Sequence, residues 1–174
     1  YGLVCQELEA VDSGIRSLVS VQGSLAMFAI HHWGSEEQRE QWLPGMAAGD
    51  LIGCFGLTEP DFGSNPGGMR TTARRDGDEW ILSGQKVFIS GIDQADAVLV
   101  VGRTEEAKTG KLAPALFIVP TDTEGFTYTQ IPMELQNPEK QFQLFFDDVR
   151  LPGDALVGEP EAALSQLFAG LNPE

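Results

Sequence analysis

The run Phe55-Gly56-Leu57-Thr58-Glu59-Pro60-Asp61-Phe62-Gly63-Ser64-Asn65 carries the residue types best suited to chemistry in this sequence. It reads as a strand that opens into a loop dense in glycine, proline and small hydroxyls. Such a loop exposes backbone N–H groups and lets a ligand come close to the main chain. On composition, an anion- or cofactor-holding loop and an ordinary strand-to-strand connection are both open, and the ordinary connection is the commoner case. Other clusters carry less. His31 and His32 are adjacent, so on a helix they point about 100° apart and do not readily share a metal ion. Asp147 and Asp148 sit together at a strand end, where neighbours face opposite sides, so a paired-acid site is not expected. Cys5 and Cys54 match no metal or redox spacing. No Gly-x-Gly-x-x-Gly motif follows a strand, so a nicotinamide-type site has no support. No metal ligand set is expected.

The elements that must position the loop follow from periodicity. From Gly2 to Leu18, apolar Leu3, Val4, Leu8, Val11, Ile15 and Leu18 recur mostly at helical steps. Ser35 and Gln38 form a capping-box pattern for a helix through Trp42, with Pro44 and Gly45 expected to end it. Residues 51–149 then turn to short β-branched and aromatic runs divided by Gly, Pro, Asp and Asn. The candidate strands are Ile52–Leu57, Met69–Arg74, Glu79–Ser83, Lys86–Ile89, Ala97–Arg103, Ala115–Val119, Phe126–Gln130 and Phe142–Phe146. Asp76-Gly77 fits a tight hairpin turn. Many short strands at near-regular spacing suggest an antiparallel barrel or sandwich. Helical spacing returns from Glu161 to Leu171. The 174 residues are 42% hydrophobic and 21% charged, as for a packed globular protein. Their net charge of -15 disfavours nucleic acid and anionic membrane surfaces as partners. No apolar run spans a bilayer, and two separated cysteines fit a reduced, cytoplasmic setting. A start at Tyr1 and an end just after a helical pattern suggest a piece of a longer polypeptide.

Three stretches together resemble the acyl-CoA dehydrogenase family. The loop Phe55–Asn65 looks like its flavin-binding signature. Lys86-Val87-Phe88-Ile89-Ser90-Gly91, preceded by Leu82-Ser83-Gly84, is similar to its second flavin-contacting strand. Phe145-Phe146-Asp147-Asp148-Val149-Arg150-Leu151-Pro152 is similar to the last strand of its β-domain. The resemblance implies an α+β multidomain fold. Residues 1–50 would be part of a helical N-terminal domain and 51–150 an antiparallel, barrel-like flavin-binding middle domain. Residues 151–174 would lead into a C-terminal helical bundle.

That resemblance implies FAD and the α,β-dehydrogenation of an acyl-CoA thioester, as in fatty acid or amino acid catabolism. In that chemistry a carboxylate removes the α-proton and the β-hydride passes to flavin N5. It implies cofactor contacts from Phe55, Gly56, Leu57, Thr58, Glu59, Pro60, Gly63 and Ser64, with Thr58 donating toward the pyrimidine side of the ring. Phe88, Ile89 and Ser90 would lie beside the ring. Many relatives have Trp and Thr where this chain has Phe88 and Ser90. Ser64 would reach the acyl-CoA. Asp12-Ser13-Gly14-Ile15-Arg16-Ser17 resembles the glutaryl-CoA dehydrogenase branch. There Arg16 and Ser17 would face a distal carboxylate, with Glu9 on the same side, although Asp12 and Arg16 also suit a simple surface pair. The stretch Met133–Phe142 departs from that branch. The family's base is a Glu expected beyond Glu174, so no catalytic residue is assigned; Glu59 is read as part of the loop. A homotetramer and an electron-transferring flavoprotein as acceptor are also implied. Alternative readings are a non-catalytic acyl-thioester-binding fragment and a related flavoenzyme, an oxidase or one acting on carrier-protein thioesters.

Overall fold

The computed structural model describes residues 1–106, 109–134 and 139–159. The expected helix from Glu161 to Leu171 lies outside them. The predicted first helix is two: α1 (Gly2–Val11) and α2 (Ser13–Val19). Asp12 separates them because its extended backbone lets its carboxylate accept from the Gly14 and Ile15 amides at 2.7 and 3.2 Å. That use as an N-cap corrects the Asp12–Arg16 pair; Arg16 instead meets Glu9 across the break, Nε to Oε2 at 2.7 Å.

A π-helical segment, Ser20–Met27, follows and leads into α3 (Phe28–Trp33). Gln22 in the wide segment donates to the Met46 and Leu51 carbonyls and accepts from the Gly53 amide at 2.7 Å. This one side chain ties the helical layer to the start of the sheet. α4 (Glu36–Ala48) begins as expected, with both halves of the Ser35–Gln38 capping box formed. It runs past Trp42, however, and carries Pro44 inside. The stop comes at Gly49, whose φ of 80° reverses the chain without a Cβ penalty.

Among the described residues, eight strands form one sheet: β1 (Gly53–Gly56), β2 (Thr72–Asp76), β3 (Glu79–Ser90), β4 (Ala97–Glu105), β5 (Leu112–Pro120), β6 (Phe126–Ile131), β7 (Gln141–Pro152) and β8 (Leu156–Val157). The order is β6-β7-β3-β2-β4-β5-β8, with β1 paired to β4. The sheet is mixed rather than wholly antiparallel, because β1 runs parallel to β4 and β2 meets β4 in parallel at Thr72 and Arg103. The two runs expected on either side of Gly84 are one strand, β3, with irregular register at Leu82/Gly84 and Lys86/Ile89. The β2–β3 hairpin turns at Gly77, with φ 61°.

β4 explains how two layers share one chain. Its Ala-Val-Leu-Val-Val run is buried on both faces. Ala97 and Leu99 meet Ile30, Trp42 and Met46 of the helical layer, while Val98 and Val100 meet Leu82, Phe117 and Leu144. Among the described residues, no helix is long and apolar enough to cross a membrane, and no group of three metal-ligating side chains forms. His32 stacks on Phe28 with centroids 3.9 Å apart.

Candidate functional site

β1 delivers its C-terminal end to the loop picked out by the sequence. Phe55 is half-buried, Gly56 buried, and Leu57 and Thr58 half-buried. The Thr58 carbonyl accepts from the Val87 amide at 2.9 Å, so the loop is stitched to β3 within the second predicted motif. There β3 breaks step. The ladder to β7 lapses between Lys86 and Ile89, and Phe88 takes a left-handed backbone with φ 59°. Such a conformation is costly for a bulky residue and persists where surrounding contacts over-determine it. The result is an aromatic ring 62% exposed, flanked along β3 by Val87, whose amide meets the loop, and by buried Ile89.

Glu59 turns inward. It is 4% exposed, and Lys86 is fully buried. Lys86 Nζ donates to Glu59 Oε1 and to the Leu57 carbonyl, each at 2.9 Å. Glu59 also accepts from the Arg70 amide at 2.6 Å and the Thr71 amide at 2.9 Å. Burial disfavours its charge, but the two amides, the Thr71 side chain and Lys86 outweigh that and hold its carboxyl below the usual range. Burial pulls Lys86 down, with Glu59 opposing. The Glu59 carboxylate is therefore committed to the fold. Pro60, Gly63 and Ser64 continue on the exposed part of the loop. Pro60 also walls a hollow of about 320 Å³ with Phe62, Arg70 and Phe145.

Beyond the bulge, Ser90 is set by two neighbours. Its Oγ accepts from Gln141 Nε2 at 2.7 Å, which leaves its own O–H to donate. Its carbonyl accepts from Cys54 Sγ at 3.0 Å. Burial, with a smaller contribution from Asp93, pushes the Cys54 thiol up to about 12, so it stays a neutral wall atom. Ser90 and Cys54 line a cavity of about 200 Å³ with Ile15, Ser17, Leu18, Val21 and Glu139. Its surface is mostly apolar, as suits an apolar ligand group. Arg16 is not among the residues walling it; its guanidinium, raised chiefly by the Glu9 hydrogen bond, sits beside that carboxylate. Ser17 is in the cavity wall and Ser64 in the exposed loop. Asp147 and Asp148 are both exposed, and Asp148 accepts from Ser83 Oγ at 2.7 Å, a strand-end contact.

Sequence reasoning gave Lys86, Gln141 and Cys54 no role. A lone lysine beside buried strand residues was the available signal for Lys86. Its partner lies 27 positions away, so only the folded chain names it.

Comparison with known proteins gives matches over both layers of the chain. Residues 1–50 match the N-terminal domain of acyl-CoA dehydrogenase, and residues 54–149 match its middle domain. The chain belongs to the acyl-CoA dehydrogenase family. It is 61% identical over 172 residues to acyl-CoA dehydrogenase FadE12 of Mycobacterium tuberculosis, covering 99% of this chain and 44% of that one. Among solved structures, a glutaryl-CoA dehydrogenase from Mycobacterium smegmatis in complex with FADH2 is 52% identical with a TM-score of 0.86; 98% of this chain and 44% of that one are covered. The butyryl-CoA dehydrogenase of Megasphaera elsdenii is 31% identical with a TM-score of 0.89, covering 98% and 45%. The chain thus spans less than half the length of these relatives.

Proposed function

We propose that the polypeptide carrying this sequence binds FAD across the β1 loop and the β3 bulge and oxidises an acyl-CoA thioester to its 2,3-enoyl form. One observation carries this reading: the Val87–Thr58 hydrogen bond joins the two motifs expected to hold the cofactor, at the point where Phe88 is exposed. Bound there, FAD would supply the acceptor for the β-hydride, which carries both electrons. Phe55 through Thr58 offer the edge of the cofactor a strand end, and Thr58 brings a hydrogen-bond donor where charge develops. Phe88 gives a ring face, Ile89 backs it from the core, and Ser90 offers the O–H that Gln141 leaves free to donate. Pro60, Gly63 and Ser64 follow the more polar part of the ligand, with Ser64 toward the acyl-CoA. Glu59 serves that loop from within. The carboxylate that takes the α-proton is not assigned to any residue here.

The acyl chain is proposed to occupy the cavity walled by Ile15, Ser17, Leu18 and Val21; Arg16, next in sequence to two of these wall residues, would have to leave Glu9 to meet a distal carboxylate. A short acyl group, glutaryl-like or neutral, suits that volume. Residues 1–50 and 51–150 are proposed as the two domain units, with 151–174 as a link onward. A homotetramer that reduces an electron-transferring flavoprotein completes the proposal, on the family's pattern.

The test is anaerobic titration of the full-length protein with a panel of acyl-CoAs while following the flavin absorbance. Bleaching by a short acyl-CoA is expected. A protein that purifies without flavin and cannot be loaded with FAD would sink the reading.

A further inference from the structure

We infer that Glu59 and Lys86 form a positioning pair that sets the flavin-facing surface, holding Thr58 and Phe88 in fixed relation without touching the cofactor. The inference rests on the flavin reading above and deepens it. Four hydrogen bonds meet at the pair. Lys86 Nζ reaches the Leu57 carbonyl, one residue before Thr58, and Glu59 Oε1. Glu59 reaches the Arg70 and Thr71 amides, where the loop returns to β2. Both ends of the loop and β3 are thereby fastened at one buried point. Lys86 is also the last residue of β3 in register before the bulge that turns Phe88 outward.

The geometry leaves little slack. Gly84 packs so close that an added Cβ would lie 2.7 Å from Thr71 Cα, so β3 lies directly against the segment whose amide Glu59 holds. A buried ion pair is weak as a source of stability, because desolvation offsets most of its attraction, but it is directional. Here the direction runs from the loop to the bulge. Among the described residues, the Val87–Thr58 backbone bond and the Cys54–Ser90 contact then remain between the β1 end and the bulge.

The experiment uses the full-length FAD-loaded protein and two variants, E59Q and K86M. Read on each are the FAD dissociation constant, the visible spectrum of the loaded fraction and the flavin midpoint potential. Both variants are expected to weaken FAD by about tenfold or more, roughly 1.4 kcal/mol, with an altered absorption envelope and a shifted potential. A stability control, R150A, breaks the exposed Arg150 bridges to Asp76 and Glu79 and is expected to change none of these. If either single variant fails to fold, the charge-free double variant E59Q/K86M, which strands no buried charge, is read in its place. Variants that melt earlier but keep the wild-type flavin spectrum and potential would overturn the inference. Wild-type protein that binds no FAD would instead sink the functional reading on which it rests.

Discussion

A lysine without solvent exposure keeps its place only if its ammonium finds acceptors, and Lys86 finds two, the Leu57 carbonyl and Glu59. Removing one partner of such a pair strands the other charge and costs about 3–5 kcal/mol. The linkage to pH follows from Glu59. Its carboxyl is held below the unfolded value of about 4.3, so its ionised form favours folding. That contribution is complete above the unfolded pKa and disappears as pH falls through the lower folded pKa. The stability gap between wild type and E59Q should therefore be flat through neutral pH and shrink below about pH 4. Urea denaturation across that range checks it; a gap that widens on acidification would contradict the assignment. The Glu59–Lys86 pairing could not be read from the sequence, since a loop glutamate ordinarily faces water and the two residues belong to separate elements.

At the scale of elements, one glutamine does two jobs. Gln38 completes the capping box of α4, and its Nε2 also donates to the Asp154 and Leu156 carbonyls at 2.6 and 3.0 Å. Q38A should cost more than S35A, which loses a cap worth about 1 kcal/mol. The excess, about 0.5–1.5 kcal/mol, reflects two carbonyls that lose their donor at a part-buried contact. Equal losses in thermal or chemical denaturation would show that the link to the chain around β8 is idle. The cap was legible because it depends on four consecutive residues. The tie to residues 154 and 156 was not, and neither was the run of α4 past Pro44. Packing of Trp42 and Met46 against Ala97, Leu99 and Ile118 holds that helix together where local propensity would end it. The π-helical turn at Ser20–Met27 escaped periodicity for the same reason: Gln22 and the buried Ser24 and Ala26 fix it through tertiary contacts.

For the whole molecule, the proposed reading turns on which acyl group the cavity would accept. Arg16 lies near it but is paired to Glu9 at 2.7 Å. If Arg16 reads a distal carboxylate, R16A in the full-length protein should raise KM for glutaryl-CoA by roughly tenfold or more and leave pentanoyl-CoA nearly unchanged. Equal losses on both would make Arg16 a structural partner of Glu9 only. The sequence by itself determined that a helical part precedes a strand-rich part, along with the capping box, the β2–β3 turn and the family, because periodicity, caps and motifs are written in residues near one another. It also picked out the loop from Phe55 and the strand through Ser90. Only the tertiary structure decided that these two are bonded to each other, that Phe88 is turned out at a bulge, and that β1 runs parallel to β4. It alone decided that Glu59 faces a buried lysine. Those outcomes depend on which distant backbone groups and charges must find partners once water is excluded, and that is settled by the assembled layers rather than by any local stretch.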